Sequence, residues 1–147
     1  MAGTFAASVL IDAPVAEVFR FHERPDALAL LTPAFPPVRV INQSGGIETG
    51  ARVVLRVGLV IPWVALHTAY EKDRLFVDEQ VRGPFALWIH RHEFEPVDGR
   101  TRLTDRVTYQ LRGGALLNRT AAPFVRLGLS QMFAYRHAVT RRICEAR

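Results

Sequence analysis

Histidine side chains recur at alternate positions of one short apolar segment, 85-FALWIHRHEF-94. Because successive side chains of a β-strand point to opposite faces, His90 and His92 share a face with the aromatic residues on either side of them. The segment 101-TRLTDRVTYQL-111 places Asp105 among apolar residues in the same way. An imidazole oriented by a carboxylate can move a proton to or from a bound carbonyl compound, and the same pair can also satisfy itself inside a core.

The turn 96-PVDGR-100 predicts a hairpin that brings these two segments together. Asp105 then lies opposite His90 or His92, or one diagonal away. Burial of a carboxylate without a partner is costly, so one of the histidines is expected to satisfy it. Two interpretations stay open: a structural pair that fixes the register of the sheet, or the polar end of a ligand site. The catalytic candidates are His90, His92 and Asp105.

Aromatic residues on the same inner face would form an apolar wall around this polar group. The residues assigned to ligand binding are Trp88, His90, His92, Phe94, Asp105, Tyr109, His67 and Phe76. Arg52 and Arg56 share one face of their strand, for which the outer, wet side is favoured, and the alternative of an inward arginine that suits a carboxylate or phenolate ligand stays open. The alternation does not orient Asp78 or Gln80.

A metal site is a further alternative, because His-x-His on a strand places both imidazoles on one face. Asp105 or His67 could complete a set of ligands, but no third ligand has a defined spacing, and Cys144 is distant. We therefore predict no metal and no other cofactor. The sequence has no Gly-x-Ser-x-Gly elbow, no phosphate-binding glycine loop and no dinucleotide fingerprint, so any catalysis would be acid–base chemistry.

The composition predicts one soluble globular domain spanning residues 1–147. The chain is 49% hydrophobic and 22% charged, which is enough to bury a core without disulfides. Cys144 is its single cysteine, a usage that fits a reducing cytoplasm. No signal peptide is recognisable, and the longest apolar run, 57–66, is too short to span a membrane. The net charge of +5 comes from scattered arginines, so nucleic-acid binding is not predicted.

Turn residues divide the rest of the chain into short elements. A strand over 4–11 precedes a helix within 12–21, for which Asp12 is a suitable N-cap, and a second short helix over 25–31. Six strands follow, with short connections that require antiparallel neighbours. They are predicted over 38–43, 51–60, 63–72, 75–81, 86–95 and 101–111, with turn signals that include the Ile61-Pro62 step. The face of 63–72 is ambiguous.

The last third of the sequence, 115–147, predicts a long amphipathic helix that begins near Ala121. Its aromatic residues Phe124, Phe133 and Tyr135 are assigned to the core. The residues assigned to its wet side are Arg126, Arg136, Arg141 and Arg142. His22 and His137 are assigned to the surface or to helix ends.

The fold class is therefore α+β: a seven-stranded curved antiparallel sheet wrapped around a long C-terminal helix, with two short helices after the first strand. A single helix does not fill such a sheet completely. A space is expected between the sheet and the helix, closed at one end by the short helices. Spaces of this kind bind small apolar molecules.

This order of elements resembles the START-like helix-grip superfamily, also called SRPBCC proteins, which includes polyketide cyclases and dehydrases. The resemblance is carried by APVAEVFRFHERPDALALLTP, FVDEQVRGPFALWIHRHEFEP, GRTRLTDRVTYQL and FAYRH. It covers the chain from Phe5 to about Cys144 and implies the helix-grip fold.

The resemblance and the inner-face pattern together predict the binding of a small hydrophobic ligand: a lipid, an isoprenoid or an aromatic polyketide-like molecule. One alternative is a cyclase or dehydratase that uses a His–Asp pair for acid–base chemistry. The other is a protein-interaction module with a filled core. Enzymatic activity is left open, and the expected partner is a small molecule, with no nucleic acid and no integral membrane segment.

Overall fold

A computed structural model describes residues 2–146. The chain forms one antiparallel sheet, two short helices after the first strand, and a long C-terminal helix, which confirms the predicted fold class. The strands are β1 (Gly3–Ile11), β2 (Val38–Ser44), β3 (Arg52–Val57), β4 (Ile61–Glu71), β5 (Leu75–Arg82), β6 (Phe85–Val97) and β7 (Arg100–Leu111). The helices are α1 (Val15–Glu23), α2 (Ala27–Leu30) and α3 (Gly114–Cys144).

The seven strands lie in the order β1-β7-β6-β5-β4-β3-β2. β2 to β7 form a meander of antiparallel neighbours, as the short turns predict, and β1 joins its edge beside β7. Helix α3 packs on β1, β7 and α1, at one side of the sheet. β2, β3 and β4 lie at the other side.

The long hairpin of β6 and β7 has the predicted inner face. Leu103, Asp105, Val107 and Tyr109 are all buried, and His92 pairs directly with Asp105 in the register. The register shifts between Phe85 and Leu87, so the bulge leaves Ala86 exposed and turns Phe85 toward Trp88.

A second bulge resolves the ambiguous face of β4. The register shifts between His67 and Ala69. His67 is buried on the inner face, and Tyr70 replaces it there beyond the bulge, where its ring contacts Phe19. A pattern that changes face within one strand gives no clean alternation, which explains the ambiguity.

β3 is shorter than predicted. It ends at Val57, and the turn to β4 lies at 58–60, where Gly58 has a φ of 62°. The Ile61-Pro62 step therefore belongs to β4 rather than to the turn. The predicted outer position of Arg52 and Arg56 agrees with their exposure.

The helix boundaries also differ from the prediction. The N-cap position of α1 is Pro14 rather than Asp12. Helix α3 begins at Gly114 instead of near Ala121, so Pro123 lies within it. It ends at Cys144, and position 147 of the predicted helix lies outside the described residues.

The helix surfaces differ from the prediction in ways that concern the site. Phe133 is fully buried, as predicted, but Phe124 and Tyr135 are exposed. His22 and His137, assigned to the surface, are buried. Arg136, assigned to the wet side of α3, is half-buried.

Candidate functional site

A single buried carboxylate, that of Asp105, accepts hydrogen bonds from three histidines. Nε2 of His90 lies 2.8 Å from Oδ1, and Nδ1 of His92 lies 3.1 Å from the same oxygen. Nε2 of His137 lies 2.7 Å from Oδ2. The first two histidines come from β6 and the third from α3, so Asp105 joins the sheet to the long helix.

His92 is held between two carboxylates. Its Nε2 lies 3.0 Å from Oδ2 of Asp78, on β5, while its Nδ1 faces Asp105. Because each ring nitrogen faces a carboxylate oxygen, this position favours the imidazolium form of the ring. Burial acts to lower the pKa of His92, but the hydrogen bonds to Asp105 and Asp78 outweigh burial and raise it.

The ring of His92 is also stacked on Phe76 and lies against the tilted ring of His90. Its centroid lies 3.8 Å from that of Phe76, with the planes 13° apart, and 3.7 Å from that of His90. The edge contact of Phe133 with His90 closes the group on the helix side. An aromatic face next to an imidazolium adds a favourable cation–π contact.

The remaining pKa shifts agree with this charge distribution. Burial favours the neutral form of Asp105, but hydrogen bonds from His137, His90 and His92 hold its pKa well below the ordinary value. Burial is likewise outweighed at Asp78, mainly by the hydrogen bond from His92, and its pKa is about 2. The pKa of His90 is lowered, first by burial and then by the charge of His92.

A small cavity adjoins this cluster under the short helices. Its volume is about 20 Å³, room for one water molecule, and its polar lining residues are His22, His92, Asp105, Arg136, His137 and Thr140. Among the described residues, Nε of Arg136 is the one buried side-chain nitrogen or oxygen without a hydrogen-bond partner. The guanidinium also balances the two carboxylates, although burial lowers its pKa.

The predicted space between sheet and helix is thus much smaller at this point than expected. Three residues that the sequence assigned to the surface, His22, His137 and Arg136, line and narrow it. A larger groove of about 440 Å³ is polar and lies away from the cluster, near Asp12, Arg100 and Arg141.

The structure buries all eight residues that the sequence assigned to ligand binding. They fall into separate groups rather than one wall. Trp88 and Tyr109 pack with Phe133, whereas Phe76 and Phe94 pack with Phe19. The polar cluster lies between these two apolar groups, and His67 hydrogen-bonds the carbonyl of Ala51 at 3.3 Å. Their roles as ligand-binding residues stay predictions.

Sequence reasoning missed four members of the site: His22, Asp78, Arg136 and His137. A signal was present for two of them. His137 follows Phe133 by four residues, and His22 follows Val18 by four, so each lies on the buried face of its helix. Nothing in the alternation of β5 showed that Asp78 faces His92.

The seven-stranded antiparallel sheet and the long C-terminal helix define a START-like helix-grip protein. The family model described as polyketide cyclase/dehydrase and lipid transport matches residues 11–134. The chain therefore belongs to that family. Comparison with curated proteins gives no significant match.

Solved structures with this fold come from several kinds of protein. The nucleoside-diphosphate sugar epimerase of Corynebacterium glutamicum is 28% identical with a TM-score of 0.75, and the match covers 94% of this chain and 28% of that one. The aromatase/cyclase Zhui of Streptomyces sp. R1128 is 14% identical with a TM-score of 0.77, covering 99% and 94%. A START superfamily protein of Mycobacterium smegmatis is 11% identical with a TM-score of 0.73, covering 97% of both chains.

The chain thus spans about a quarter of the length of the epimerase and nearly the full length of the other two proteins. Within residues 2–146, no helix has the length and apolar character needed to cross a membrane.

Proposed function

We propose that the protein binds a small apolar molecule on the part of the sheet that α3 does not pack against. The observation that carries this proposal is the open apolar wall, the inner-face side chains of β2, β3 and β4. These residues are Val38, Val40, Leu55, Val57, Ile61 and Trp63, all half-buried or exposed. An apolar surface that remains accessible on the inner face of a sheet is a natural site for an apolar ligand.

The wall continues into the polar cluster. Trp63 lies 5.2 Å from Trp88 and 5.8 Å from Phe85, measured between ring centroids. Beyond it, the side chain of Asp78 is 18% exposed, more than those of His90, His92 and Asp105. A ligand with its apolar body on the wall would present a polar end to Asp78, a geometry that suits a molecule with one hydroxyl or amine.

Dye binding provides the test. Anilinonaphthalene sulfonate should bind the purified protein and be displaced by a fatty acid or a polycyclic aromatic compound. Trp63→Ala and Leu55→Ala should each weaken binding roughly tenfold, since each removes a side chain that the ligand would cover. Arg56→Ala is the matched control, because Arg56 neighbours Leu55 but is exposed on the outer face. Equal binding by all four proteins would contradict the proposal.

The acid–base alternative receives less support from the geometry. Both ring nitrogens of His92 already donate to carboxylates, so it has no lone pair for a substrate proton. A cyclase or dehydratase activity of His90, His92 and Asp105 stays a prediction. Turnover that is lost in a folded His92→Ala variant would support it.

A second function, association with an epimerase-type enzyme, is favoured by the comparison with the Corynebacterium protein. The region similar to this chain is there part of a longer chain named as a nucleoside-diphosphate sugar epimerase. The face of α3 opposite its buried side carries exposed apolar residues, Leu116, Leu117, Phe124 and Leu127, which would suit such a contact. We expect the protein to co-elute with an epimerase-type protein of the same organism. Phe124→Glu should abolish this co-elution, and Arg119→Glu should preserve it.

A further inference from the structure

His90 and His92 of β6 each direct one ring nitrogen toward the carboxylate of Asp78. Asp105 accepts from Nε2 of His90 and Nδ1 of His92. The nitrogens that remain, Nδ1 of His90 and Nε2 of His92, lie 3.9 Å and 3.0 Å from Oδ2 of Asp78. One carboxylate therefore fixes both rings, and a second carboxylate faces their other nitrogens.

The geometry points to a divalent transition-metal site formed by Asp78, His90 and His92. Their three ligand atoms lie within 4.8 Å of one another. Tetrahedral zinc with nitrogen and oxygen ligands holds its ligand atoms about 3.3 Å apart, so small side-chain movements suffice to close the site. Two imidazoles and one carboxylate suit Zn²⁺, Co²⁺ or Fe²⁺ better than Ca²⁺ or Mg²⁺.

Asp105 supplies what such a site needs beyond its ligands. Ligating histidines usually donate their second N–H to a carboxylate, which fixes the ring and strengthens the metal bond. Asp105 makes this contact to both His90 and His92, and His137 holds its other oxygen at 2.7 Å. A bound ion would take the position of the proton that joins His92 to Asp78, and the two carboxylates would balance its charge.

Access and coordination number are consistent with this assignment. The side chain of Asp78 is 18% exposed, so an ion can enter from its side of the cluster. Three protein ligands leave at least one coordination position open. His67, which pairs with Asp78 in the register of β4 and β5, lies on that side.

The test uses the full chain, stripped with a chelator and titrated with Co²⁺ and Zn²⁺. Co²⁺ should produce visible absorption bands that saturate at one equivalent, and excess Zn²⁺ should abolish them. Asp78→Asn should weaken binding by more than about tenfold, because the loss of a ligand should cost at least as much as the loss of a hydrogen-bond partner of a ligand. Glu79→Gln is the matched control, because it neutralises the neighbouring carboxylate on the opposite face of β5 and should leave affinity unchanged.

Imidazole signals in the NMR spectrum of the unmodified protein give a readout that needs no variant. Zn²⁺ should shift the ring signals of His90 and His92 and leave those of His22 in place. No saturable binding by the wild type, equal affinity of Asp78→Asn, or shifts confined to other residues would overturn the assignment. Dye binding on the open apolar wall is a separate measurement, and Trp63→Ala should leave metal binding intact.

Discussion

His137 on α3 lies 2.7 Å from Asp105 on β7, measured from Nε2 to Oδ2. Both side chains are buried, so this hydrogen bond joins the helix to the sheet from within the core. A buried hydrogen bond to a charged group is stronger than one between neutral groups, and its loss leaves the partner unsatisfied. The bond therefore fixes where α3 lies on the sheet as well as the orientation of the carboxylate.

His137→Ala should destabilise the protein by about 2–4 kcal/mol, because it leaves Oδ2 of Asp105 without its donor and opens a void. Urea unfolding followed by circular dichroism measures the change. Tyr135→Ala, two residues earlier on the exposed side of the same helix, is the control and should cost about 0.5 kcal/mol or less. Equal losses in the two variants would show that the hydrogen bond to Asp105 contributes nothing.

Asp105→Ala should be more damaging, at about 3–5 kcal/mol, since it leaves the His92 imidazolium with one carboxylate and two further histidines without an acceptor. Glu93→Gln on the outer face is the control. Glu93 makes ion pairs with Arg91 and Arg106, but these are exposed and should be worth less than about 1 kcal/mol. Thermal unfolding of the two variants compares them, and an Asp105→Ala protein as stable as Glu93→Gln would disprove the structural role.

The sheet and its inner face were predictable because alternation and turn chemistry act locally. Asp105 shares its strand face with four apolar residues, so its inward position followed from the pattern alone. The pairing of His92 with Asp105 required the register of the hairpin, which depends on the turn around Asp98 and Gly99, both with positive φ. Both histidines proved to contact the carboxylate, an outcome the alternation left open.

The rest of the site depends on contacts between elements that are distant in sequence. His22 lies on a nine-residue helix and His137 on a 31-residue one, and only the packing of both helices onto the sheet brings them to Asp105. Asp78 meets His92 because β5 pairs with β6 in a register that sets Phe76 opposite His92 and Asp78 opposite His90, and no local pattern encodes that register. The space between the sheet and α3 is smaller than predicted for the same reason, because polar side chains that were assigned to the surface point into it.

Acidification should destabilise the protein through His22. Its Nδ1 donates to the carbonyl of Val18 at 2.8 Å, and burial lowers the pKa of the ring to about 4. The unfolded chain binds a proton near pH 6.5 and the folded chain only near pH 4. The stability from this group is therefore fully present above pH 6.5 and is lost as the pH falls to 4, by up to about 3 kcal/mol.

His22→Asn keeps a donor for the carbonyl of Val18 but does not titrate. Urea unfolding at intervals from pH 7 to pH 4 covers the range in which His22 changes its charge. Over this range the free energy of unfolding of the variant should fall less steeply than that of the wild type. The other buried histidines remain in both proteins, so the difference between the two curves isolates His22. Parallel curves would mean that His22 is protonated equally in the folded and unfolded chains.

Phe124 and Phe133 of α3 were both assigned to the core, but they differ in burial. Phe133 is fully buried and packs against Phe5 and His90, whereas Phe124 is 77% exposed on the opposite face. Phe133→Ala should cost about 3–5 kcal/mol, because it removes a large core side chain and loosens the cover over His90. Phe124→Ala should change the free energy of unfolding by no more than about 0.5 kcal/mol, since the Phe124 side chain is mostly in contact with solvent. Guanidinium unfolding measures both, and a large loss in Phe124→Ala would mean that this face of α3 is covered in solution by another molecule or a second copy of the chain.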